Sequence, residues 1–408
     1  MSNKVVSCIL MCLAAVSLVS CRHSVNEEPV NEGIGPDGEL PAPLPRAKRT
    51  ILIYAIAANS LSSNLDDDMS EILQGAAQVD LDNYRLLIYK VQTDYTTENN
   101  RSKPELVQLV KTASGYGYKT VAKYNSKYPS TLTERISTVI SNAVTVAPAD
   151  EYGVIFWSHS DAWRPSPTWT DDVRRSFGQD YDAQTRTYYY CETADLADAV
   201  PDGLAKFIWF DSCYMANIES AYEFRGKCSC YIGSCTELQG AGMPYDITLP
   251  ILLGEKGDVV KAAKATFDYY NDRNKVVTMS VMDMRHIERM ADATAAAYAG
   301  FEPLPQDASL QVYSRGSYSS PLYDFGQYTR MVADCDGSDI SSFQQAIDDF
   351  VVYAAASQYD FRGVRIVPEY YSGLSCHLYR MTDSRDDRMY RTLDWYRRVY
   401  PNDDPIYE

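Results

Sequence analysis

Histidine is scarce in this chain, with four in 408 residues. There is no Cys-x-x-Cys pair and no cysteine–histidine cluster at zinc spacing, which argues against a structural zinc site. A Gly-x-Ser-x-Gly elbow and a glycine-rich phosphate loop are also missing, so the signatures of elbow-type serine hydrolysis and of P-loop nucleotide chemistry are absent. Basic residues are outnumbered, 38 Lys and Arg against 55 Asp and Glu, for a formal net charge of −17. Such a field repels nucleic acid and favours cationic partners, while also keeping an exported protein in solution. The apolar stretch from Val5 to Val19 is too short, and too closely followed by polar residues, to span a membrane comfortably.

The N-terminus instead reads as a targeting segment, with Lys4 supplying positive charge ahead of that apolar stretch. Leu18, Val19, Ser20 and Cys21 resemble a bacterial lipobox, which implies cleavage before Cys21, lipidation of its sulfur and a lipid-anchored place in the cell envelope. Residues 1–20 are thus expected as a signal peptide and 21–48, rich in proline and poor in large apolar residues, as a flexible tether. Residues 49–300 are expected to hold the main domain, and 301–408 a C-terminal extension packed on it. Ten cysteines include Cys8, Cys12 and Cys21, leaving Cys191, Cys213, Cys228, Cys230, Cys235, Cys335 and Cys376. That remainder is odd, so at least one thiol is unpaired unless it bonds another chain.

From residue 49 apolar runs alternate with helical segments. "TILIYAIAA" (50–58) has no polar alternation, as strands buried on both faces require. "SSNLDDDMSEILQGA" follows as a helix, its Asp66, Asp67 and Asp68 assigned to a first turn where they complement the helix dipole. "YRLLIYKVQ" (84–92) is a second strand, and 104–125 reads as a helical turn and a hairpin. "TLTERISTVISNAVTVAP" (131–148) has the apolar spacing of an amphipathic helix. "YGVIFWSH", "KFIWFDSC" (206–213) and "KCSCYIGS" (227–234) are further strands with helices between them, and later a helix is expected over about 341–357. This order predicts an α/β fold with a mostly parallel sheet covered by helices on both faces.

In such sheets ligands bind outside the carboxyl ends of the strands. Two apolar strands separated by one crossover end in reactive residues: "VIFWSH" delivers His159, and "FIWFDSC" delivers Cys213. Each alone is compatible with inert packing. Together they form the pair that nucleophile-and-base chemistry needs. A helix "YMANIESAYEF" directly after Cys213 would add its dipole to lower the thiol's pKa. Asp211 lies on the same side of its strand; a carboxylate does not help a thiol ionise, so it reads as a partner for a substrate cation.

These blocks resemble the clostripain-like cysteine peptidases of the caspase-like group. The resemblance rests on "FWSHSDAW", "WFDSCYMANIE" and "SCTELQGAGMPY", with softer matches in "NSLSSNLDDDMSEI", "VTMSVMDM" and "YYSGLSCHLY". It implies a caspase-like α/β/α sandwich and hydrolysis of peptides after Arg or Lys. By position, His159 is then the general base and acid, Cys213 the nucleophile, Asp211 part of an acidic pocket, and the amides of Ser160 and Cys213 an oxyanion hole. The family often has glycine where this chain has Ser160. Some members use calcium and are cut between the histidine and the cysteine, where Arg174 and Arg175 lie. The rival expectation is a catalytically inactive surface lipoprotein that uses the same fold to bind peptide or glycan.

Overall fold

The apolar runs form a central sheet whose strand ends set the site. The computed structural model describes residues 33–163, 176–313 and 321–400. The signal segment, Cys21, Arg174 and Arg175 lie outside the described residues. The strands are β1 (Ala47–Ala57), β2 (Tyr84–Gln92), β3 (Glu105–Thr112), β4 (Gly115–Lys123), β5 (Ala149–Trp157), β6 (Phe177–Asp182), β7 (Thr187–Cys191), β8 (Ala205–Asp211), β9 (Cys228–Gly233), β10 (Thr278–Asp283), β11 (Val312–Tyr313), β12 (Leu322–Asp324), β13 (Val351–Ala356) and β14 (Ser375–Cys376). Nine of them build one sheet in the order β13-β10-β9-β8-β5-β1-β2-β3-β4. The central run from β9 to β2 is parallel, and antiparallel strands extend it at both edges.

The helices are α1 (Ser62–Gly75), α2 (Thr133–Val146), α3 (Thr193–Asp198), α4 (Ile218–Glu223), α5 (Tyr245–Leu252), α6 (Val259–Asn271), α7 (Ile287–Ala297), α8 (Phe325–Asp336), α9 (Ser341–Phe350), α10 (Arg385–Tyr390) and α11 (Asp394–Val399). Alternation along β1 sorts them into two layers. Ile51, Ile53 and Ala55 join the core under α1, α5 and α6, while Leu52, Tyr54 and Ile56 join the core under α2, α4, α7 and α9. Burial of each such Ile or Leu side chain contributes about 1.5–3 kcal/mol. The result is the expected α/β/α sandwich.

Several elements depart from expectation. The tether is placed from Gly33 onward: Ile34 is buried, the Asp37 and Leu44 amides donate to the Lys123 and Val146 carbonyls, and β1 already begins at Ala47. Ile34 and Leu44 supply the apolar anchors that a proline count obscures. The stretch 104–125 is all hairpin, β3 and β4, without a helical turn. The helix expected to run to 357 stops at Phe350, where Val351 and Val352 begin β13, the sheet's edge strand. A boundary at residue 300 therefore cuts across the central sheet. Near the C-terminus the last strand is the short β14. Among the described residues no disulfide joins the seven cysteines. No described helix is long and apolar enough to cross a membrane.

Candidate active site

β5 and β8 are neighbours, with Trp157 paired in register against Asp211. Their adjacency brings His159, two residues past β5, and Cys213, two residues past β8, to the same end of the sheet. Both line a cleft of about 470 Å³ together with Ser160, Asp161, Asp211, Glu237, Gly242 and Arg362. The sequence-predicted residues His159, Ser160, Asp211 and Cys213 thus meet in one place.

Cys213 is half-buried, and its Sγ accepts a hydrogen bond from the Leu238 amide at 3.4 Å. The expected helix-dipole assistance is absent. α4 starts only at Ile218, capped by the Asn217 side chain accepting from the Ser220 amide, and Tyr214 intervenes in a left-handed conformation at φ 61°. Burial pushes the Cys213 thiol up to about 12, the negative charges of Glu237, Asp161 and Asp211 add to the rise, and the Leu238 bond opposes it. The free site therefore holds a neutral thiol. Burial holds His159 below the ordinary histidine range, which keeps its imidazole neutral and able to accept a proton. Ser60 Oγ lies 2.9 Å from His159 Nε2, leaving Nδ1 as the ring nitrogen for another partner. Among the described residues no hydrogen bond joins Cys213 to His159.

Ser160 takes a specific part in this geometry. Its hydroxyl donates to the Cys213 carbonyl and so ties the two strand ends together. The Ser160 side chain thus points at the backbone of the neighbouring strand end.

Asp211 is buried at the cleft floor. Its Oδ2 accepts from the Met243 amide and from the Tyr245 hydroxyl, each at 3.0 Å. Both bonds fall on Oδ2, so Oδ1 is left to the cleft. Burial raises the Asp211 carboxyl to about 6, against the pull of those two donors. Gly242 has φ 61°, and a Cβ there would stand 2.7 Å from Asp211 Oδ2. Only glycine lets that loop approach so closely.

Behind the floor, the Trp157 indole N–H donates to Asp68 Oδ2 at 2.7 Å. α1 begins at Ser62, which places Asp66–Asp68 beyond the first turn, so the dipole explanation of these acids fails. Asp68 instead points inward, and burial, with Asp211 adding like charge, raises it to about 9. Among the described residues no group of three or more acidic, histidine or cysteine side chains is arranged to hold a metal ion. The calcium implied by the resemblance thus finds no ready set of side-chain ligands among them.

Sequence reasoning missed Asp68, Ser60, Glu237 and Arg362. Glu237, Gly242 and Tyr245 lie inside the block "TELQGAGMPY", so their position was marked but not their roles. Of the other described histidines, His377 is buried with Nε2 2.8 Å from Asp387 Oδ1, and His286 stands 3.9 Å from Asp283. Neither lines the cleft.

The comparisons with known proteins agree with this architecture. No curated protein matches the sequence. The family model described as the clostripain family matches residues 53–356. An inactive zymogen C11 protease from Parabacteroides distasonis is similar in structure, with 29% identity, TM-score 0.73, and coverage of 88% of this chain and 99% of that one. A secreted C11 cysteine protease from Bacteroides thetaiotaomicron, solved with an irreversible peptide inhibitor, superposes with TM-score 0.72 at 24% identity, covering 86% of this chain and 99% of that one. That second likeness bears on the fold. The chain belongs to the clostripain family of cysteine-type peptidases.

Proposed function

We propose that the protein is an endopeptidase that hydrolyses peptide bonds after Arg or Lys through a Cys213–His159 dyad. The observation that carries this reading is the convergence of Cys213, His159 and Asp211 on one cleft at the carboxyl ends of β5 and β8. Cys213 Sγ attacks the scissile carbonyl as its proton passes to His159. The imidazolium then protonates the leaving amine, and water, activated by the same imidazole, hydrolyses the thioester. The amides of Ser160 and Cys213 serve as the oxyanion hole, where one preorganised donor is worth about 3 kcal/mol.

Asp211 receives the substrate's cationic side chain. Its charge and that of Glu237 are among those that hold the thiol protonated. A bound Arg or Lys neutralises part of that field, so the substrate that fits the cleft also eases formation of the thiolate. Peptides are the substrates in this reading. The chain works outside the cytoplasm, held to the cell envelope by a lipid on Cys21, and the C-terminal residues complete the peptidase domain.

The test is incubation of the protein lacking its signal and lipid with Arg- and Lys-containing fluorogenic peptides beside C213A. Cleavage by the native chain and its loss in C213A are expected. Cleavage unchanged in C213A overturns the dyad, and binding of peptide without cleavage or labelling of Cys213 favours a non-catalytic binding protein.

A further inference from the structure

A second cation already sits at the cleft. Arg362 Nη2 donates to Glu237 Oε1 at 2.6 Å, with the arginine side chain 47% exposed and the glutamate 22%. Both residues line the cleft with Cys213 and His159. Glu237 immediately precedes Leu238, whose amide holds the nucleophile's sulfur. The ion pair is thus one residue away from the reacting atom's own support.

Arg362 is not a loose surface side chain that happens to swing inward. It stands at the tip of a turn that follows β13. Tyr359 and Arg365 pair across this turn, and the Ile366 amide donates to the Gln358 carbonyl. Asp360, itself buried, accepts from the amides of Arg362 and Val364, each at 2.8 Å. Gly363 supplies the left-handed residue at φ 78°. The base of the turn is tied to the sheet edge, because Ser357 Oγ accepts from the Val277 amide and donates to the Tyr359 carbonyl. A turn so fixed delivers the guanidinium to one place.

We infer that Arg362 is a specificity-determining residue, a built-in cation that occupies Glu237 and that a substrate's Arg or Lys must displace or share to use that carboxylate. The inference rests on the proposed cleavage after basic residues. Its physical content is competition between like charges for one acid. With Arg362 in place, Glu237 is neutralised, and a substrate cation gains its full attraction only by reaching Asp211 on the floor. Weakly fitting cations are thereby rejected, since they meet a guanidinium at the mouth before they can reach Asp211 beneath it.

The test measures KM for an Arg fluorogenic peptide, and inhibition by agmatine as a small guanidinium probe, in the native protein, R362A, R362K, E237Q and the double variant. The expected result is a fall of about threefold to fivefold in both KM and the agmatine inhibition constant in R362A, the range of a half-exposed ion pair. R362K should stay near the native values, and R362A should have no effect in the E237Q background. A rise or no change in both quantities in R362A, or an equal effect with and without Glu237, overturns the inference. Absence of cleavage in the native protein, or persistence in C213A, strikes the proposed function instead, so the two failures are distinguishable.

Discussion

Asp211→Asn separates recognition from stability, because one buried charge affects them in opposite directions. Asparagine keeps the shape and can still accept from the Met243 amide and the Tyr245 hydroxyl, so the floor of the cleft should stay in place. What is lost is the negative charge. Removing one partner of a desolvated ion pair costs about 3–5 kcal/mol, which lowers kcat/KM on Arg peptides by about a hundredfold to a few thousandfold. Stability should move the other way. The carboxyl is raised from 3.8 to about 6, so the folded chain holds a proton that the unfolded chain releases between those values. Stability from this group is therefore greatest below about pH 4 and falls as pH rises through about 6. Above that the buried charge costs up to about 3 kcal/mol, at about 1.4 kcal/mol per pKa unit. D211N should unfold at a higher temperature than the native protein at pH 8, with the gap closing toward pH 4. Thermal unfolding at the two pH values, paired with kcat/KM on Arg peptides, checks both halves. Cleavage within threefold of native, or a lower unfolding temperature at pH 8, would refute the reasoning.

Three other outcomes follow from the same geometry. S160A and S160G both lose the hydroxyl bond to the Cys213 carbonyl, and a net hydrogen bond of about 0.5–1.5 kcal/mol predicts a fall of about twofold to twelvefold in kcat, read in initial-rate assays. G242A forces a Cβ to 2.7 Å from Asp211 Oδ2 at φ 61°, so KM for Arg peptides should rise at least about tenfold, alongside a stability loss of about 1–2 kcal/mol measured in denaturant. Asp68 is raised from 3.8 to about 9, so its contribution to stability declines as pH rises across that window; D68N should flatten the drop in unfolding temperature between pH 6 and pH 9.

The strands that place the site were legible because they are buried on both faces. β1, β5 and β8 carry uninterrupted apolar runs, and the crossover rule put His159 and Cys213 at one end of the sheet. The helix after Cys213 was misplaced for a specific reason. Met215, Ile218 and Tyr222 are all buried, and that spacing fits a helix from Tyr214, yet the chain first passes through an irregular turn. Asn217, a strong N-cap residue, was the available signal. Similarly, Val351 and Val352 at the end of α9 are better strand than helix formers, and β10 offered an edge for them. Ser60 and Arg362 were beyond reach, since their contacts to His159 and Glu237 cross 99 and 125 residues of sequence.

The irregular turn changes how the proposed nucleophile must be activated. A helix beginning at Tyr214 would have offered Cys213 a permanent favourable field and a thiolate at rest. The actual turn offers none, and the nearest charges, Glu237, Asp161 and Asp211, all oppose ionisation. An acidic cleft thus carries a conflict: the feature suited to a cationic side chain also keeps the thiol protonated. Arg362 already neutralises Glu237, so what remains of that conflict lies with Asp211 and Asp161 and is relieved when a cation enters. Under the proposed cleavage after basic residues, selectivity then acts on the chemical step as well as on binding, because a neutral side chain in the cleft leaves Asp211 and Asp161 unneutralised.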